Sequence, residues 1–198
     1  MLRAMRRSYL GGGNDTRIGG IRMSRHSLPL ILLIMSAVGP APAQNLLTNP
    51  GFDTSDQLDG WDCMAANGIA SWIAADRLGS PDSGAMQHFV AAAANNQTVT
   101  CSQCVPVAEH YAYRLGAWHY WPDDPDVVQD GTVRLVFSFY GDAACTTQLA
   151  SGPVRVGSHA LLETWYWTAT DEAEAPSGAQ SAKVFVTTWQ DVADDWVR

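Results

Sequence analysis

Apolar and polar positions alternate with a period of two over much of this chain, the pattern of strands that bury one face and solvate the other. Residues 86–90, 99–107, 111–120, 132–140, 164–168 and 182–188 are runs of β-branched and aromatic residues. Clusters of Gly, Pro, Asn, Asp and Ser punctuate them at 79–84, 95–96, 122–131, 141–142 and 176–178. No stretch of helical length repeats its apolar residues every 3.6 positions. The pattern predicts an all-β, antiparallel sandwich or barrel, with no internal repeat and no low-complexity linker.

Alternation assigns each strand two faces. In the 111–120 strand, Tyr111, Tyr113, Leu115 and Ala117 share one face, and Arg114, Gly116, Trp118 and Tyr120 share the other. In the 132–140 strand, Val133, Leu135, Phe137 and Phe139 make a uniformly apolar face, opposite Thr132, Arg134, Val136, Ser138 and Tyr140. The apolar faces are expected to form the core. The opposite faces combine aromatic rings with an arginine, which a merely solvated face does not require.

The N-terminal part follows another logic. Arg25 and His26 precede an apolar run at 28–38 that is too short to span a bilayer and leads to Ala41-Pro42-Ala43. That is the form of a secretory signal, with cleavage expected after Ala43. Residues 1–22 are rich in Gly and Arg and lack an apolar period, so Met23 is the expected start. Residues 1–43 are therefore expected to stand outside the fold, leaving 44–198 as one domain of 155 residues, enough for a core of its own.

Removing the leader changes the charge. It holds six of the twelve Lys and Arg residues and one of the twenty acidic ones, so 44–198 carries six against nineteen, a formal charge of −13. So acidic a surface argues against nucleic acid or an anionic membrane as partner and suits neutral ligands or calcium. All four cysteines, Cys63, Cys101, Cys104 and Cys145, lie beyond the leader. An even count behind a secretory signal reads as two disulfides and a secreted, periplasmic or extracellular protein. Cys101-x-x-Cys104 has no second pair at zinc spacing, and three residues along a strand put the two thiols on opposite faces.

The string Asn45-Leu46-Leu47-Thr48-Asn49-Pro50-Gly51-Phe52-Asp53, followed by Gly60-Trp61, has a physical reading of its own. Leu46 and Leu47 supply a short apolar segment, Asn49-Pro50-Gly51 a turn in which Gly51 is free to take positive φ, and Phe52 a plug for the core. The string also resembles the opening of CenC-type carbohydrate-binding modules, jelly-roll β-sandwiches of the galactose-binding-like superfamily. Downstream, Gln103-Cys104-Val105-Pro106-Val107, Tyr113-Arg114-Leu115-Gly116-Ala117-Trp118, Trp165 and Ala175-Pro176-Ser177-Gly178-Ala179 are similar to further strands and turns of that family, in order.

The resemblance implies a jelly-roll fold and a disulfide between Cys104 and Cys145, which leaves Cys63 for Cys101. It implies a buried Trp165 and a structural calcium to which Asp53 contributes. It also implies a closing strand with Asp-Asp-Val, which the Asp194-Asp195-Trp196 end does not match; that strand is expected to be missing.

Catalytic signatures are weak. There is no Gly-x-Ser-x-Gly elbow and no His-Glu-x-x-His pair, and His88, His110, His119 and His159 show no ligand spacing. The Asp123-Asp124-Pro125-Asp126 cluster reads as a solvated turn. The positive signal is aromatic. Sugar rings have apolar faces that stack on aromatic planes and hydroxyls that need polar partners. Trp118, Tyr120, Arg134 and Tyr140, with Trp121 at the rim, are the expected site for a neutral or weakly polar oligosaccharide or polysaccharide. This assumes that the 111–120 and 132–140 strands are antiparallel neighbours. The expected function is a monomeric, non-catalytic carbohydrate-binding module; the alternative is a structural or adhesive cell-envelope sandwich without sugar binding.

Overall fold

The computed structural model describes residues 2–5, 44–53, 55–66, 68–90, 97–123, 132–158 and 162–190. The apolar run at 28–38, Met23, the Ala43 cleavage site, the end at 191–198 and most of the acidic 123–126 turn lie outside them. Eleven strands follow in order: β1 (Leu2–Met5), β2 (Asp62–Ala66), β3 (Gly68–Ile73), β4 (Ala85–Val90), β5 (Gln97–Pro106), β6 (Ala112–Tyr120), β7 (Thr132–Tyr140), β8 (Gln148–Gly157), β9 (Trp165–Ala169), β10 (Ala173–Glu174) and β11 (Ser181–Gln190). Among the described residues there is no helix, and so none long and apolar enough to cross a membrane.

The strands form an antiparallel jelly-roll β-sandwich. One sheet runs β2-β5-β11-β7-β8; the other centres on β6, with β1 on one side and β9 and β10 on the other; β3 and β4 make a separate hairpin. β9 and β10 act as one edge strand with an interruption. Gly116 pairs with Ala169 and Tyr113 with Ala173, so the spacing slips by one residue between them. Thr170 fills the gap: its N–H donates to the Leu115 carbonyl, and its hydroxyl accepts from the Leu115 N–H.

The core lies where alternation placed it. Val133, Leu135, Phe137 and Phe139 of β7, beside Val184 of the neighbouring β11, meet Tyr113 and Leu115 of β6 across the sandwich, and all are buried. Burial of such side chains supplies roughly 1.5–3 kcal/mol each. Tyr113 keeps its hydroxyl satisfied by accepting from the Ala108 N–H at 2.8 Å and donating to its carbonyl at 3.2 Å.

Both disulfides have the expected partners, Cys63–Cys101 and Cys104–Cys145. Cys101 faces the core and Cys104 the outside, as their spacing requires. Cys63 lies directly across from Cys101 in the β2–β5 ladder, and Cys145 ties the 141–147 turn back to β5.

The opening motif is built differently from its sequence reading. Positive φ falls on Asn49 (46°) and Phe52 (51°), not on Gly51. The Asn49 side chain explains this, because it accepts from the Asp53 N–H and donates to the Gln57 carbonyl, winding the chain around itself. Phe52 packs on Trp61, with centroids 5.7 Å apart, and is only partly buried. Buried Gln103 holds the segment down by accepting from the Thr48 N–H and donating to the Thr48 and Gly60 carbonyls.

A second difference concerns residues 1–43. Leu2–Met5, expected to stand apart, pairs antiparallel with Leu115 to Ala112 of β6. The physical reason is the β6 edge, whose N–H and C=O groups on that side would otherwise lack strand partners.

Candidate functional site

The outer face of the β6–β9 sheet is the most aromatic surface among the described residues. β6 presents Trp118 and Tyr120, and β9 presents Trp165 and Trp167. The register sets Trp118 opposite Trp167 and Tyr120 opposite Trp165. The first pair has centroids 5.4 Å apart with planes at 52°, and the second 5.2 Å with planes at 38°. Trp118 and Trp167 are 44% and 41% exposed, far more than indoles that serve only as core. Tyr120 and Trp165 are half-buried.

Gly116 makes this geometry possible. It lies one step along the same face, and a methyl group on it would strike the Trp167 ring. The indole can therefore lie down across β6 with its other side toward solvent. Beneath the sheet, His119 and Tyr166 alternate to the inner side, with His119 Nε2 2.9 Å from the Thr168 hydroxyl.

A loop between β3 and β4 closes one side of the face. The Arg77 guanidinium carbon lies 4.3 Å from the centroid of the Trp118 ring. Asp76 shapes the loop, its carboxylate accepting from the Leu78 and Ser80 N–H groups at 2.8 Å each. These bonds and one from the Ser83 side chain hold the Asp76 carboxyl below its ordinary pKa, the Ser80 N–H contributing most. Gly79 accommodates the turn with φ of 71°. Both ends of the loop are moored to the opening motif: Trp72 Nε1, near the end of β3, donates to the Phe52 carbonyl, and Gly84 N–H, just before β4, donates to that of Gly51. The 49–53 segment thus supports the loop that carries Arg77.

The expected site residues separate. Trp118 and Tyr120 stand on this face. Trp121 is buried, 5% exposed, in the core cluster. Tyr140 is buried too, 8% exposed, opposite Ser181 beside the 141–147 turn. Arg134 is half-buried in the other sheet, opposite Thr187, and its Nε is enclosed without a hydrogen-bond partner among the described residues. The premise that β6 and β7 are neighbours fails, since β7 pairs with β11 and β8. The two strands pack inner face to inner face, so Trp118 and Arg134 point away from each other on opposite sides of the sandwich.

Trp165 is on the aromatic face rather than in the core, because β9 lies across from β6 and places it beside Tyr120. The Trp165-Tyr166-Trp167 alternation carried that signal, since it puts both indoles on one side. Nothing local could have brought Arg77 to Trp118. Asp53 is exposed, and no group of three or more His, Cys, Asp or Glu side chains converges among the described residues.

No protein-family model matches the chain, and no curated protein is similar to it in sequence. Solved structures are similar in fold. The carbohydrate-binding module TmCBM61, in complex with β-1,4-galactotriose, superposes with a TM-score of 0.50 at 17% identity, over 77% of this chain and 92% of that one. The enzymatically active domain of bacteriophage CBA120 tailspike protein 4 superposes with a TM-score of 0.53 at 11% identity, over 77% of this chain but only 20% of that one. At such identities the likeness extends to the β-sandwich fold.

Proposed function

We propose that this protein is a secreted, non-catalytic carbohydrate-binding module that holds its glycan on the outer face of β6 and β9. The observation that carries this reading is the exposed Trp118–Trp167 pair on a rigid sheet. Aromatic planes offered to solvent from paired strands give pyranose rings an apolar surface at little cost in side-chain ordering. Tyr120 adds a hydroxyl beside the second indole. The fold shared with a galactotriose-binding module and the two disulfides, which suit an oxidising compartment, support the reading.

The test is direct. Titration calorimetry of the full chain against β-1,4-galactotriose and a panel of neutral polysaccharides should give saturable heat. Trp167→Ala should weaken binding by about 1–3 kcal/mol, the scale of one uncovered aromatic face. No heat with any glycan would favour the structural or adhesive alternative.

A further inference from the structure

We infer that Arg77 is a ligand-binding, specificity-determining residue of the aromatic face: with Trp118 it forms a side wall, and the bound ring lies on Trp167. The inference rests on the glycan-binding reading above and deepens it.

Trp118 and Trp167 do not play equal parts. Trp118 has one side of its ring capped by the Arg77 guanidinium, 4.3 Å from its centroid. A sugar cannot stack on that side without displacing a cation–π contact. Trp167 rests on the bare backbone of Gly116 and turns its other side to solvent. The open platform is therefore Trp167, and Trp118, tilted 52° to it, stands as a wall.

The wall is polar at its top. The guanidinium over the Trp118 indole carries five N–H donors and no acceptor, so it can only donate. Among the described residues no carboxylate pairs with Arg77, although acidic residues outnumber basic ones in the whole chain by twenty to twelve. Its donors face acceptors that come from elsewhere. The Asp76 turn fixes the backbone that carries Arg77, and the Trp118 ring seats its guanidinium, before any ligand arrives, which lowers the ordering cost of binding. A ring lying on Trp167 would bring its edge oxygens toward these donors. The matching ligand presents an apolar ring face and, at its edge, oxygen acceptors. Hydroxyl oxygens of a neutral glycan and the carboxylate of a uronic acid share that chemistry.

The experiment measures affinity and thermal midpoint for wild type, Arg77→Ala, Arg77→Lys and Asp76→Asn in the full chain. Galacto-oligosaccharides and oligogalacturonides are the two probes. Arg77→Ala is expected to lose at least tenfold in affinity for the better-bound probe with an unchanged midpoint. Arg77→Lys, which keeps the charge but not the planar fork, is expected to recover only part of that loss. Asp76→Asn should weaken binding several-fold through the loosened turn. Loss of binding to both probes in proportion assigns the neutral oxygens as the ligand atoms; a larger loss for the uronides assigns the carboxylate. Wild-type affinity retained in Arg77→Ala, with binding lost in Trp167→Ala, overturns the assignment of Arg77 and leaves the glycan reading standing. Absence of wild-type binding to either probe or to any polysaccharide of the panel overturns both.

Discussion

Two ionisable side chains link single residues to acid stability, in separate pH windows. His88 is buried, with Nδ1 3.0 Å from the Thr188 hydroxyl, and burial lowers its pKa to about 4 from an ordinary 6.5. The unfolded chain takes up this proton first. Stability is therefore complete above pH 6.5 and falls as the pH drops toward 4, by about 3 kcal/mol at the end of that window. Asp142 lies at the β7–β8 turn, where its carboxylate accepts from the N–H groups of Ala144, Thr146 and Thr147. The bonds from Thr147, foremost, and from Thr146 lower its pKa to about 2 from 3.8. Its contribution is present above 3.8 and disappears as the pH falls toward 2. Urea midpoints measured from neutral to strongly acidic pH should decline in two stages. His88→Gln should flatten the first and Asp142→Asn the second; a first stage that survives His88→Gln would show that His88 is not its source.

Strands were legible wherever a run alternated cleanly. β7 has the bounds its pattern predicts, Thr132 to Tyr140, because β-branched and aromatic residues alternate there without a break. β8 escaped because it is an edge strand: Gly152 and Pro153 interrupt its pattern, and only β7 pairs with it. Neighbour relations were not legible, since about ten residues between β6 and β7 fit a hairpin as well as a crossing between sheets. That error moved Arg134 and Tyr140 to the wrong side, whereas the faces within each strand were right. The disulfide partners were legible through the family resemblance, which paired Cys104 with Cys145 and left Cys63 for Cys101. Each closes a loop of about 40 residues, so replacing either pair with alanine should lower stability by about 4 kcal/mol, read from chemical unfolding. The two aromatic tiers, Trp118–Trp167 and Tyr120–Trp165, lie two residues apart along the strands, about 7 Å. A disaccharide or longer chain can cover both tiers and a monosaccharide only one. Affinity should thus rise from monosaccharide to disaccharide by at least tenfold. Equal affinities would confine binding to one tier.

Across the whole molecule, the sandwich divides its tryptophans by purpose. Trp121 and Trp118 are three residues apart, yet one is in the core and the other faces solvent. Trp121 follows the end of β6 and turns inward to the cluster that includes Leu115, Val133 and Phe137. Its removal should cost the 3–5 kcal/mol typical of a large aromatic taken from a packed interior. Trp118 touches Trp167 and Arg77 on the outside, so its loss leaves no buried cavity. Binding and scaffolding roles therefore predict opposite signatures for the same two substitutions. If the face exists to hold a glycan, Trp118→Ala should leave the thermal midpoint within a few degrees of wild type and weaken glycan binding. Trp121→Ala should lower the midpoint sharply and, where it remains folded, bind normally. If the sheet serves only as a scaffold, Trp118→Ala should change stability alone, and no glycan should bind either protein. Calorimetric unfolding and glycan titration of the two variants side by side separate these outcomes. Undiminished glycan binding by Trp118→Ala would remove Trp118 from the site.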